Sequence, residues 1–291
     1  MSVSVVLLVN NRKEYYKEAL ASLKTQTDKD FELVIVSNIK IEYDLSEFKD
    51  VNIIASPDSI LDAYITGLNN SKNEIVAFMD DDDKFVSNKI SILKGEVING
   101  YYHNDFYDFG SKESHNNGKG FNASCIAVNR KEYMNIVELS KNQKLKYIPD
   151  SIIYWYALEN NLDIIIDNRK LTYYRHKSNE NKYKNLKQNL QNFIISLLEA
   201  QNVFKIQEVK DIIREGLIQN KIYLNTLGIF NKISIGDLIW LLNRPIIEKK
   251  SKIISYILTM RIWQGMGIKV IEKMRNRKVI EKMRNRKVVV K

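Results

Sequence analysis

The chain has 291 residues, with 45 Lys and Arg against 35 Asp and Glu, a formal net charge of +10 and a single cysteine. One cysteine excludes an internal disulfide and suits a reducing compartment. No apolar run reaches the roughly 20 residues of a membrane-crossing helix, and the opening run of residues 3–9 lacks the basic start of a secretion signal. The length suits one domain of about 240 residues plus a tail, or an α/β domain with a helical extension.

The first half alternates strand and helix. Val3-Ser4-Val5-Val6-Leu7-Leu8-Val9 is β-branched and nearly continuous, as in a parallel strand covered on both faces. A polar break at Asn10-Asn11-Arg12 leads into a helix carrying Leu20 and Leu23 that is expected to end near Thr27. Phe31 to Val36 and Val51 to Ile54 read as the second and third strands. Pro57-Asp58 opens a helix with Ile60, Leu61, Tyr64, Ile65 and Leu68 at three- and four-residue spacing. Glu74 to Met79 is the fourth strand, and it runs into four consecutive aspartates, Asp80 to Asp83. Such an alternation predicts a mostly parallel sheet flanked by helices, joined by right-handed crossovers.

Four adjacent carboxylates repel one another and are not expected in a core, so their crowding needs compensation. A hard divalent cation such as Mg²⁺ or Mn²⁺ supplies it, since it prefers carboxylate oxygens together with substrate phosphates. Ligands of open α/β sheets collect beyond the carboxyl ends of the strands, which is where this cluster falls. The plainer alternative is a solvated acidic turn. No glycine-rich phosphate loop occurs in this half, so phosphate chemistry would rest on the acidic cluster and a metal.

Three segments together, Ser4 to Arg12, Ala19-Leu20-Ala21-Ser22-Leu23-Lys24-Thr25-Gln26-Thr27, and Asp30 to Val36, resemble the opening of the family 2 glycosyltransferases. Phe78-Met79-Asp80-Asp81-Asp82-Asp83 is similar to that family's metal-binding Asp-x-Asp motif. The resemblance covers residues 2–90 well and 120–178 more loosely. It implies a GT-A-like fold with a nucleotide-sugar half at 1–98 and an acceptor half at 99–180, then a helical extension over 181–243. Asp80 and Asp82 would hold the cation on the donor's diphosphate, with Asp83 supporting the metal or the sugar. Asn11 and Arg12 would lie by the nucleotide. The family's aspartate pair after the second strand is replaced by Ser37-Asn38, which can still hydrogen-bond a base edge but adds no charge. The family's Ala-Arg-Asn-x-Gly appears as Ala63-Tyr64-Ile65-Thr66-Gly67, without its Arg and Asn.

In the middle segment, Asn122 to Val128 reads as a strand after a polar stretch at 99–120, which holds His103 and His115 and is expected to form a mobile loop over the site. Ile148-Pro149-Asp150 opens a helix carrying Ile153, Tyr154, Ala157 and Leu158. The resemblance makes Asp150 the catalytic base, able to take a proton from an acceptor hydroxyl; the alternative is a helix cap. A strand at Leu162 to Ile166 precedes Leu171-Thr172-Tyr173-Tyr174-Arg175-His176, similar to the family's Tyr-Arg-x-His ending. There Arg175 would neutralise the diphosphate, and His176 would complete the metal shell or touch the phosphates. An ordinary polar surface loop is the alternative.

Helical spacing dominates from Tyr183 onward, with one stripe at Leu186, Leu190, Phe193, Ile194, Leu197 and Leu198 and another at Val209, Ile212, Ile213 and Leu217. Residues 244–291 hold 15 Lys and Arg against three Glu, a local +12 that leaves about −2 for residues 1–243 of the whole-chain +10. Ile253, Ile254, Ile257, Leu258, Ile262 and Trp263 alternate there with lysine and arginine, which suits an interfacial helix on anionic lipid. Packing on the catalytic domain and contact with nucleic acid are the competing readings. The second is disfavoured because aromatics do not interleave with the cations. Residues 270–278 recur unchanged as 279–287, a short duplication in a tolerant tail.

The functional expectation is an inverting, metal-dependent glycosyltransferase. It would use a nucleotide-sugar donor and a glycan or lipid-linked acceptor, in the cytoplasm and peripherally on the inner membrane face. A nucleotide-sugar-binding module that has lost turnover, a nucleic-acid-associated protein acting through its tail and a nucleotidyltransferase are the rivals.

Overall fold

In the computed structural model, the described residues are 1–10, 14–109, 122–141, 145–175, 186–226, 233–234, 236–237, 240 and 288–290. They fall into two compact units, Met1–Lys182 with Lys287–Lys291, and Tyr183–Arg286.

The first unit runs β1 (Val3–Val9), α1 (Tyr16–Lys24), β2 (Glu32–Ser37), β3 (Asp50–Ala55), α2 (Ile60–Asn70), β4 (Ile75–Asp80), β5 (Lys84–Phe85), α3 (Lys89–Gly95) and β6 (Tyr101–Asp108). It continues through β7 (Ile126–Asn129), α4 (Arg130–Tyr133), α5 (Val137–Ser140), α6 (Pro149–Glu159) and β8 (Ile164–Tyr174). One sheet has the order β3-β2-β1-β4-β7-β6-β8-β5, and β9 (Val288–Val290) adds in parallel to β8. Residues 288–290 of the basic segment thus form a sheet strand that the sequence reading did not expect; Val288-Val289-Val290 is a β-branched triplet, a composition favoured in strands.

Strands β1 to β4 pair in parallel, with β1 between β2 and β4. Both faces are covered. Val5, Leu7, Leu33, Ile35, Ala77 and Met79 pack with Leu20 and Leu23 of α1 and Ile90 and Leu93 of α3. On the other face α2 lies against β1 at Gly67, where an added Cβ would come within 2.2 Å of a Val6 methyl. Helix α2 starts at Ser59, whose hydroxyl accepts the Asp62 N–H at 3.3 Å, rather than at Pro57-Asp58.

Beyond β4 the direction reverses. β7 runs antiparallel to β4 and β6 antiparallel to β7, while β8 is parallel to β6 and β5 antiparallel to β8. Two expectations change here. Residues 101–108 form the buried strand β6 rather than a loop, since four aromatic side chains flank and offset the polar His103-Asn104-Asp105 centre. The predicted strand at Leu162 to Ile166 and the Leu171–Tyr174 segment are one continuous strand, β8, with irregular register against β6 between Asn104 and Phe106.

In the second unit, α7 (Leu186–Val203) and α8 (Gln207–Thr226) bury Ile194, Leu197, Ala200, Val209, Ile213 and Leu217. Leu198, placed in the first stripe, is exposed, and Ser196 and Ala200 are buried instead. Ser196, Leu197 and Ala200 share one face at three- and four-residue spacing, and Leu198 falls to the side of it. Residues 244–287, including the proposed interfacial segment and the duplication, lie outside the described residues.

Candidate active site

The in-register strands β1, β2 and β4 end together, with Val9 opposite Ser37 and Leu8 opposite Asp80. Their carboxyl ends are stitched by side chains. The Asn38 amide donates to Asn10 Oδ1 at 2.7 Å, and the Asn10 N–H donates to Asp81 Oδ2 at 2.9 Å. Ser37 is occupied locally, its hydroxyl donating to the Ile39 carbonyl at 2.7 Å and accepting the Ile39 N–H at 3.1 Å. Asn38 remains exposed at the strand end, where a ring edge could reach it.

The acidic run does not form a solvated turn. Asp81 is 0% exposed, Asp82 8% and Asp83 1%, while Asp80 is partly buried as the last residue of β4. Burial is possible because backbone donors meet the carboxylates: Asp81 takes the Asn10 N–H, and Asp83 Oδ1 takes the Arg175 N–H at 2.8 Å. Asp81 is thereby turned toward β1. Asp80, Asp82 and Asp83 instead converge, each offering an oxygen within 4.8 Å of the others. Asp83 Oδ2 is buried and makes no hydrogen bond among the described residues. Burial, followed by the neighbouring Asp80 charge, pushes the Asp83 carboxyl up to about 8. Three carboxylates around an unsatisfied buried oxygen are a fitting donor set for Mg²⁺ or Mn²⁺.

Arg175 closes one side of this loop. Its Nε donates to the Asp82 carbonyl at 3.1 Å and its terminal NH2 pairs with Glu18 at 3.0 Å. Its guanidinium lies 3.8 Å from the Phe109 ring centroid and 4.7 Å from that of Tyr15. Glu18 also holds Lys84 at 2.7 Å, and the Lys84 hydrogen bond is the largest cause that lowers the Glu18 pKa. Two cations are therefore stored beside the acidic loop, tied to one carboxylate.

Asp150 stands in the first turn of α6, after Ile148 at the cap and Pro149 at the first helical position. It is thus not the cap residue; its carboxylate accepts the Ser151 N–H at 2.8 Å. Burial first, then the Asp80 charge, raises its pKa to about 6. Tyr64 and Tyr174 join the same field. The Tyr64 hydroxyl donates to Asp80 Oδ1 at 3.3 Å, and burial together with Asp83, Asp80, Asp82 and Asp150 lifts the Tyr174 phenol to about 12. Asp150, Asp80, Asp82, Asp83, Ser37, Asn38 and Arg175 are accordingly placed at one end of the sheet. Asn11, Arg12 and His176 lie outside the described residues.

Sequence reasoning missed Tyr64, Ser124 and Lys89. Ser124 precedes β7 and its hydroxyl accepts the Asp80 N–H at 2.9 Å. Lys89, wholly buried, donates to the Ser124 carbonyl at 2.6 Å. Tyr64 was visible as an apolar-stripe member, but nothing in the stripe distinguishes the one hydroxyl that reaches Asp80. His103 sits in β6, stacked on Tyr101 with ring centroids 6.4 Å apart. His115 and residues 110–121, expected to form a loop over the site, lie outside the described residues.

The family model described as glycosyl transferase family 2 matches residues 4–117. No curated protein sequence matches the chain. Among solved structures, residues 1–349 of TarS from S. aureus share 15% identity at a TM-score of 0.55, covering 88% of this chain and 81% of that one. The same protein in complex with UDP-GlcNAc aligns at 14% identity and a TM-score of 0.53, covering 94% and 83%. The mannosyltransferase PcManGT from Pyrobaculum calidifontis, in complex with GDP-Man and Mn²⁺, aligns at 12% identity and a TM-score of 0.53, covering 90% and 87%. The fold is that of the GT-A glycosyltransferases.

Proposed function

We propose, from the match of residues 4–117 to the family model described as glycosyl transferase family 2, that the chain moves a sugar from a nucleotide-sugar donor to an acceptor hydroxyl by a single inverting displacement. Asp80, Asp82 and Asp83 would hold Mg²⁺ or Mn²⁺. A cation bound there supplies counter-charge for the diphosphate that leaves with the glycosidic electron pair. The observation that carries this reading is the shared oxygen cluster of those three residues at the carboxyl ends of parallel strands.

Asp150 serves as the base. As the acceptor oxygen attacks the anomeric carbon, its proton passes to the Asp150 carboxylate and the bond to the diphosphate oxygen breaks. A pKa near 6 leaves that carboxylate ionised at neutral pH yet more basic than an ordinary aspartate. Arg175 and Lys84, held by Glu18, are cations beside the acidic loop that could exchange onto the donor phosphates. Asn10 and Asn38 offer uncharged edges to the base. The basic segment 244–291 would hold the protein against an anionic membrane surface, as its +12 charge and alternating apolar residues suggest.

Calorimetric titration with a panel of nucleoside diphosphates, with Mn²⁺ and then with chelator, tests the site. Metal-dependent binding should be lost in Asp80→Ala with Asp82→Ala. Metal-independent binding that survives the double substitution would refute the assignment. A second reading, a binding module without turnover, is favoured by the uncharged Ser37-Asn38 pair at the base-binding position. Release of nucleoside diphosphate from a bound donor would eliminate it.

A further inference from the structure

Beneath the acidic loop lies a polar cluster that touches no solvent. Ser124, Lys89, Thr172 and Asn104 are each 0% exposed. An ammonium is costly to bury without hydrogen-bonding partners. Here the Lys89 ammonium donates to the Ser124 carbonyl at 2.6 Å and to Thr172 Oγ1 at 3.0 Å, and lies 3.9 Å from the Phe85 ring centroid. Thr172 Oγ1 donates in turn to the Ser124 carbonyl at 2.8 Å and accepts from the Asn104 amide at 3.1 Å. The Ser124 N–H is held by Asn122 Oδ1 at 3.0 Å. With its backbone gripped on both sides, Ser124 aims its hydroxyl at β4 and accepts the Asp80 N–H at 2.9 Å.

This arrangement joins three distant parts of the chain at one atom. Lys89 comes from α3, Thr172 from β8 and Ser124 from the turn before β7. Asp80 is still opposite Leu8 of β1, but the pairing of β4 with β7 stops at Ala77, and beyond it the serine hydroxyl is the group that takes the Asp80 N–H.

We propose that Ser124, clamped by Lys89 and Thr172, is the positioning residue of the divalent-cation site: its hydroxyl sets where the end of β4 presents Asp80 relative to Asp82 and Asp83. Groups that orient metal ligands from behind commonly change affinity by about 10- to 100-fold when removed. This inference rests on the metal reading of the acidic loop. It adds a residue that contacts neither donor nor acceptor and acts through the carboxylates alone.

The test is titration of the full chain with Mn²⁺ in the absence of any nucleotide, following the free-ion signal by electron paramagnetic resonance. Ser124→Ala should weaken Mn²⁺ binding by about tenfold or more. Ser71→Ala is the control: Ser71 is an equally buried serine whose hydroxyl donates to the Gly67 carbonyl at 2.8 Å, remote from the acidic loop. It should lower the melting temperature comparably and leave Mn²⁺ affinity unchanged. Should Ser124→Ala fail to fold, Ser124→Cys, close in shape but a poor hydrogen-bonding partner, carries the same comparison. Equal Mn²⁺ affinity in the folded variant and the wild type overturns the role of Ser124. A wild type that binds no Mn²⁺ overturns the metal reading itself, and this inference with it.

Discussion

Tyr64 donates to Asp80 from a side chain that is only 4% exposed, so its hydroxyl has no water to fall back on. Tyr64→Phe keeps the ring and its contact with Phe78, and removes only that bond. One hydrogen bond to a charged group is worth about 1.5–3 kcal/mol; at 3.3 Å the lower end applies, and Mn²⁺ affinity should fall about tenfold in the same free-ion titration. Asp150 makes the opposite kind of prediction. Its pKa is raised to about 6, above the value of about 3.9 expected in the unfolded chain. The folded state therefore holds the proton more tightly, and stability is lost as pH rises from about 4 through about 6. Asp150→Asn should abolish sugar transfer yet stabilise the fold at pH 8 by on the order of 2 kcal/mol, with the gain vanishing below about pH 4. Melting curves across pH check this, and a destabilised variant at pH 8 would deny the buried charge. The wild-type rate should in turn rise with pH around 6 and then level. Asp80, Asp82 and Asp83 were legible in the chain because a carboxylate run after an apolar strand is a local pattern, and Asp150 because Pro-Asp opens a helix where the family resemblance expects an acid. Ser124 and Lys89 were not, since an isolated serine and lysine gain their meaning only when β7 and α3 are brought beside β4.

The parallel strands announced themselves by continuous apolar runs, because both of their faces are covered. β6 did not. Its polar centre, His103-Asn104-Asp105, reads as loop until β7 and β8 flank it and supply partners that a lone segment lacks. β5 is two residues long and exists only as a pairing with β8, which is what draws the acidic loop under Arg175. Close approach between elements is equally invisible in sequence. Gly67 brings α2 onto β1, and α2 carries Tyr64 toward Asp80. Gly67→Ala would press a methyl against Val6, a short β-branched side chain in a filled core, and overpacking of this kind costs about 1–3 kcal/mol. The melting temperature should fall, and the double variant with Val6→Ala should recover part of the loss, since the two changes share one contact. Strict additivity of the two would show that α2 is not seated by this glycine.

At the scale of the whole chain, charge is divided more sharply than structure. Residues 1–243 are close to neutral at about −2, and residues 244–291 carry +12, more than the whole net charge of +10. A near-neutral catalytic region does not repel a doubly charged nucleotide diphosphate, and the acidic loop is compensated locally by Arg175 and backbone donors. The charge of the basic segment is therefore not needed to balance the donor site, and the proposed membrane attachment would draw on it separately. Each lysine or arginine near an anionic bilayer contributes about 1 kcal/mol, an attraction that decays within a Debye length of about 8 Å at physiological salt. Fifteen such residues, mixed with isoleucines and Trp263, are ample for reversible attachment even if only a third reach the surface together. The full chain should sediment with vesicles containing phosphatidylserine, stay in solution with purely zwitterionic ones, and be released by about 1 M salt, where the screening length falls to about 3 Å. Replacing Lys273, Arg275, Arg277 and Lys278 by glutamine should weaken sedimentation while leaving Mn²⁺-dependent nucleotide binding intact, because the two functions draw on different charges. Equal partition onto neutral and anionic vesicles would assign the segment to apolar insertion, and no partition onto either would return it to packing within the protein.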